Sequence, residues 1–150
     1  MPGPSFRFRL ERVRALRERS EDAAKEAVAA AMMARLRSEQ EVQAASARIA
    51  AARGAQLDAT SAPTSAADLI ARQAYLERTE RAHRATQVDL GRYELVLDQR
   101  RQELTEAARK RQALERLKEH RRADHDREQL RLEGIELDEI AIQGFHRRAA

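Results

Sequence analysis

A chain of 150 residues is about one domain's worth of sequence, yet 36% of it is charged and only 3% aromatic, with no Trp. That is too little aromatic area for a conventional globular core, and the abundance of Ala, Glu, Leu, Arg and Gln fits long helices and coiled coils instead. The net charge of +4 is too small to mark a nucleic-acid binder by itself, and the lack of Cys excludes disulfides and thiol chemistry.

The chain opens on Met1-Pro2-Gly3-Pro4-Ser5, which carries no signal-peptide pattern. Phe6-Arg7-Phe8-Arg9-Leu10 alternates with the period of a strand, but it is short and leads into helical spacing. Ser5 offers a helix N-cap. From Leu10 apolar residues step by three and four through Val13 and Leu16, then Ala23, Ala27, Ala30 and Ala34. A second row runs through Val28, Met32, Leu36, Val42 and Ile49. The register slips between the rows, so no strict heptad is expected in this first helix. The most apolar run, Ala27 to Ala34, is mostly alanine and far short of the ~20 strongly apolar residues of a membrane span; a soluble chain without membrane insertion is expected.

Helix breakers and caps gather between Arg53 and Ala66. Gly54 is suited to the left-handed conformation that ends a helix, Pro63 disfavours helix in the residue before it, and Ser65 with Asp68 forms an N-terminal capping pattern. The second helix then shows Leu69, Leu76, His83, Leu90, Leu97 and Leu104, seven apart with one histidine. A leucine row facing an alanine stripe suits an antiparallel pair. The expected fold is therefore all-α, a single antiparallel two-helix coiled-coil hairpin over 1–150. Its helices would cover about 5–53 and about 67–142, joined by a turn at about 54–66. With the turn centred near Thr60, Arg53 faces Ala67 and Leu10 faces Lys110. Gly91 lies within the second helix, where it reads as a close helix contact at a cost of about 1 kcal/mol relative to Ala.

On this geometry roughly the last 30 residues of the second helix overhang the first. The overhang ends in Leu130, Leu132, Ile135, Leu137, Ile140, Ile142 and Phe145, large side chains that ask for a partner protein at the open end. Catalytic, cofactor and metal readings are weak. His120 and Asp124 sit four apart, but helical geometry turns His125 away, and zinc needs three or four converging ligands. His83 reads as a spacer in its row. The basic run from Arg109-Lys110-Arg111 to Arg121-Arg122 is interleaved with Glu115, Glu119, Asp124 and Asp126, and without stacking aromatics it reads as a solvated charged face rather than a nucleic-acid surface.

The order of several short motifs resembles the flagellar FliJ family. They are Phe6-Arg7-Phe8-Arg9-Leu10-Glu11-Arg12-Val13 with Leu16-Arg17-Glu18-Arg19, Ala74-Tyr75-Leu76-Glu77-Arg78, Ala113-Leu114-Glu115-Arg116-Leu117-Lys118-Glu119-His120-Arg121, and Leu137-Asp138-Glu139-Ile140-Ala141. The resemblance implies a non-enzymatic, cofactor-free component of the flagellar type III export apparatus, tied to motility and chemotaxis. It also implies a coiled-coil stalk that is cytoplasmic and peripheral to the inner membrane at the flagellar base. Its implied partners are the export ATPase ring (FliI-like), the export gate (FlhA-like) and export chaperones. The family's gate surface, an aromatic followed by residues at four, seven and eleven, would here be Tyr75, Thr79, Ala82 and Thr86. Its first-helix counterpart would be Ala44, Ala45, Arg48 and Ala52. The open end that would enter the ATPase ring carries Phe6, Leu10 and Val13 with Leu130, Ile135, Leu137 and Ile140. The rival readings are a generic coiled-coil spacer or scaffold and a basic helical nucleic-acid binder.

Overall fold

The computed structural model describes residues 5–61 and 64–149. Among them are two helices, α1 (Glu11–Thr60) and α2 (Ala66–Ala149), and no strand. The chain is all-α, its second helix the longer, with the two helices packed against each other. It forms two compact units, one from Asp22 to Thr105 and one from the chain up to Glu21 together with Glu106 onward.

In the Asp22–Thr105 unit the helices run antiparallel. Arg53 pairs with Glu80 at 2.8 Å, Ser46 Oγ lies 3.3 Å from His83 Nε2, and Arg35 approaches Glu94 at 3.8 Å. The register differs from the expected facing of Arg53 and Ala67, because α1 does not stop at Gly54. No described residue has a positive φ. Gly54 is helical, and the good helix formers after it carry α1 on to Thr60. The helix end is closed by the Thr64 hydroxyl, which donates to the Ala59 carbonyl at 2.7 Å, one of the carbonyls a helix terminus leaves free. Pro63 lies outside the described residues. Ser65 caps α2 as its spacing with Asp68 predicts. Its hydroxyl accepts the Asp68 N–H at 3.1 Å and donates to the Asp68 carboxylate at 2.7 Å.

The inward face of α1 in this unit steps by three and four without a slip. One row is Ala24, Ala31, Ser38, Ala45, Ala52 and Ala59; the other holds Val28, Arg35, Val42, Ile49 and Gln56. This unbroken heptad replaces the slipping register expected from the large apolar residues. Val28, Val42 and Ile49 are in the seam, but Met32 and Leu36 point outward. From α2 the seam receives Leu76, His83, Leu90, Leu97 and Leu104, all buried or half-buried. Small side chains on one helix and leucines on the other are the pairing the sequence suggests, with little area buried per turn. Two polar atoms inside this seam, Ser38 Oγ and His83 Nδ1, are buried without a hydrogen-bond partner. Gly91 is not the close contact it was read as: a Cβ built there meets nothing within 4 Å.

The other unit carries ion pairs between α1 and α2. Lys118 pairs with Glu11 at 3.0 Å, Arg14 with Glu115 at 3.4 Å, and Arg111 with Glu21. Glu21 is buried. Leu10 therefore does not sit opposite Lys110 as expected; its neighbour Glu11 already meets Lys118. The helix also begins later than Ser5. Phe6 to Leu10 precede α1, with Phe6 and Phe8 half-buried and Arg7 and Arg9 exposed. The period of two in this lead is real, and its reason is local. Both rings turn onto α2, where Phe6, Phe8 and Leu10 line a recess of about 720 Å³ with Leu117, Arg121 and His125. The Phe6 ring meets the His125 ring edge-on at 5.7 Å. At its far end α2 continues past Ile142 to Ala149.

Candidate functional site

Two surfaces carry the residues singled out in the sequence, one in each unit. The first lies on the Asp22–Thr105 unit beside Tyr75. α2 presents Tyr75, Thr79 and Ala82 by steps of four and three, and α1 brings Ala45 and Arg48 against them. Together with Arg78 they line a recess of about 350 Å³. A second recess of about 470 Å³ adjoins it through Tyr75 and Arg48 and is lined by Ala51, Ala52, Ala55, Ala71 and Arg72. The result is a shallow trough with an alanine floor, a tyrosine across its middle and arginines at its rim.

The sequence-derived gate set is not uniform. Tyr75 and Ala82 are exposed, whereas Thr79 and Thr86 are half-buried. The Thr79 and Thr86 hydroxyls donate back to the carbonyls of Leu76 and His83, each at 2.8 Å, a bond within the helix that leaves their methyl groups as the available surface. Thr86 is not among the residues lining the recess. On α1 the counterpart residues divide: Ala44 and Arg48 are exposed, while Ala45 and Ala52 belong to the seam. Sequence reading missed the basic rim as a feature. Its signal was present in Arg72, Tyr75 and Arg78, three apart and hence neighbours along α2, with Arg48 facing them from α1.

The second surface lies on the other unit. Leu10 and Val13 are partly exposed, and Phe6 is half-buried against His125. Leu130, Leu137, Ile140 and Ile135 are between 49% and 68% exposed, so the large apolar side chains at the end of α2 are uncovered. Beside them the ion pairs keep the charged face ordered. Glu11 has its carboxyl held below the ordinary value by the hydrogen bond from Arg14 first and that from Lys118 second, and Arg131 does the same for Glu128. Arg111 and Lys118, two cations of the basic run, are engaged by Glu21 and Glu11, while Arg109, Lys110, Arg121 and Arg122 are exposed.

His120 meets Asp124 at 3.6 Å and His125 meets Asp126 at 3.4 Å, and no group of three or more potential metal ligands converges among the described residues. Both surfaces are open and shallow. No helix among the described residues is long and apolar enough to cross a membrane.

No curated protein and no solved structure matches the chain. A family model does, that of the flagellar FliJ protein, over residues 6–150. The match takes in the aromatic lead, both helices, the turn and the exposed end of α2. With nearly every residue covered, the chain belongs to the flagellar FliJ family.

Proposed function

We infer that the chain, as a member of this family, has a flagellar export-related role and acts as a non-catalytic component, a reading supported by its two open surfaces. We propose that it is a stalk-like coiled coil linking the export ATPase ring to the export gate, with export chaperones as further partners, held peripherally at the cytoplasmic side of the flagellar base. The observation that carries this reading is the run of exposed aliphatic residues at the end of α2, Leu130, Ile135, Leu137 and Ile140. Side chains of this size left in water at one end of a helical pair favour a protein partner there, since each complete burial is worth ~1.5–3 kcal/mol. The ATPase ring is the partner assigned to that end, together with Phe6, Leu10 and Val13, and the Tyr75 trough is assigned to the gate.

Full-length variants separate the two contacts. Leu130→Gln, Leu137→Gln and Ile140→Gln together are expected to weaken binding to the flagellar ATPase by about tenfold or more, since part of the burial is always offset by the cost of association. Gate binding and helicity should hold. Tyr75→Asp with Ala82→Asp should do the reverse, because both side chains are exposed and neither supports the seam. Titration of each variant against the purified ATPase and the cytoplasmic part of the gate reads both. An aliphatic-end variant that binds the ATPase as well as the parent would sink the stalk assignment.

A further inference from the structure

The trough and the end of α2 have complementary chemistries, and each molecule carries both. Around the trough, Arg48, Arg72 and Arg78 form no ion pair among the described residues; Arg72 donates one N–H to the Ala55 carbonyl at 3.1 Å. Three guanidinium groups thus ring an apolar floor crossed by an exposed tyrosine. This is a site for a segment that presents an aliphatic anchor flanked by carboxylates, the geometry that arginine recognises with paired hydrogen bonds.

The end of α2 is such a segment. Ile135, Asp138, Glu139 and Ile142 are spaced by three, one and three, so they share one helical face with the two carboxylates between the two isoleucines. Ile135 and Ile142 are 49% and 58% exposed, and Asp138 and Glu139 are exposed as well. Neither carboxylate, nor those of nearby Glu133 and Glu136, takes part in an ion pair among the described residues. Elsewhere α2 does pair its acids with neighbours, as at Glu128 with Arg131 and Glu103 with Arg100. The carboxylates of this face are left for something outside the helix.

We propose that the Ile135–Ile142 face of one copy docks in the Tyr75 trough of a second copy, its two isoleucines on the alanine floor and Asp138 and Glu139 against the arginine rim. The mode is an amphipathic helix in an apolar groove, with charge setting orientation and excluding a neutral or basic occupant. Because the surface given differs from the surface received, the contact is heterologous, and each copy keeps a free trough or a free end for the next. The contact stands on these two surfaces alone and does not depend on which other protein uses them.

The test uses the full chain in sedimentation equilibrium over a wide concentration range at low salt. The average mass is expected to rise above the 17.1 kDa of one chain as concentration increases, and to fall back when ionic strength is raised to about 0.5 M, where screening shortens to a few ångströms. Arg72→Glu with Arg78→Glu, and separately Asp138→Arg with Glu139→Arg, are each expected to weaken self-association by about tenfold or more, since like charges then meet. An equimolar mixture of the two variants should recover it, because each altered surface faces its opposite in the other chain. The neutral versions, Arg72→Gln with Arg78→Gln and Asp138→Asn with Glu139→Gln, should fall between parent and reversal. All four positions are exposed, and circular dichroism checks that helicity is kept. A chain that stays monomeric at every concentration at low salt overturns the proposal. So does association that survives either reversal, which would place the contact elsewhere on the surface, or a mixture that fails to recover.

Discussion

Replacing Ala45 by leucine is expected to destabilise the chain by about 1–3 kcal/mol, the range for forcing extra methylenes into a packed seam. The melting temperature should fall by roughly 3–10 °C for a chain of this length. Leucine is the better choice by hydrophobicity and nearly as good a helix former as alanine, so composition alone would forecast a gain. The structure forecasts a loss because Ala45 is 3% exposed and sits in a row of small residues spaced by seven on α1, with Ala31, Ser38, Ala52 and Ala59. Leucines already come from the other side at Leu76, Leu90 and Leu97. The matching control is Ala47→Leu, two residues away but exposed, which should move stability by no more than about 0.5 kcal/mol. Thermal melts of the two variants beside the parent decide it. Equal effects would mean that α1 and α2 are not held together through this row.

Ser38→Ala is expected to act in the opposite direction, raising stability by about 1–2 kcal/mol. Ser38 is 2% exposed, its hydroxyl has no hydrogen-bond partner, and an unsatisfied buried group of this kind costs about 1–3 kcal/mol. Alanine removes that cost, completes the small-residue row, and is the better helix former. A rise in melting temperature of roughly 2–6 °C should follow. If melting is unchanged or falls, the hydroxyl has a partner in solution, such as a water, and the seam there is less tightly closed than its exposure indicates.

Legibility in the sequence followed from whether buried positions carried apolar residues. On α2 they did, and the leucines seven apart, from Leu76 to Leu104, lie where their spacing puts them. The Ser65–Asp68 cap was equally readable, because capping is a local matter of side-chain reach. On α1 the inward positions include Arg14, Arg17, Glu21, Arg35, Ser38 and Gln56. Such residues look like surface, yet a long side chain can cover an apolar seam with its stem while its charge reaches a partner. Of the apolar residues that suggested a different register, Leu16, Met32 and Leu36 are largely exposed, whereas Leu10 lines the recess with Leu117. Gly54 misled for a related reason. A glycine permits a helix to end but does not require it, and a single one is tolerated where its neighbours favour the helix. The trough was half legible. The α2 residues of its Tyr75 face are periodic, but the arginine from α1 joins them only once the antiparallel register is known.

The contrast between the two seams bears on how the molecule opens. Between Asp22 and Thr105 the helices meet mainly through small and aliphatic side chains, whose attraction is not weakened by charge screening. From Glu11 to Glu21 they meet through Lys118–Glu11, Arg14–Glu115 and Arg111–Glu21, and of these only Glu21 is buried. Pairs as exposed as the other two are weak and screened. The beginning of α1 is therefore a low-stability stretch in the sense of native-state fluctuations, able to peel from α2 and close again while the alanine seam stays shut. Backbone amides from Glu11 to Glu21 would exchange their hydrogens sooner than those from Ala31 to Ala52. Fraying at that end would release Phe6 and Phe8 from their recess, giving an incoming protein a pair of aromatic anchors.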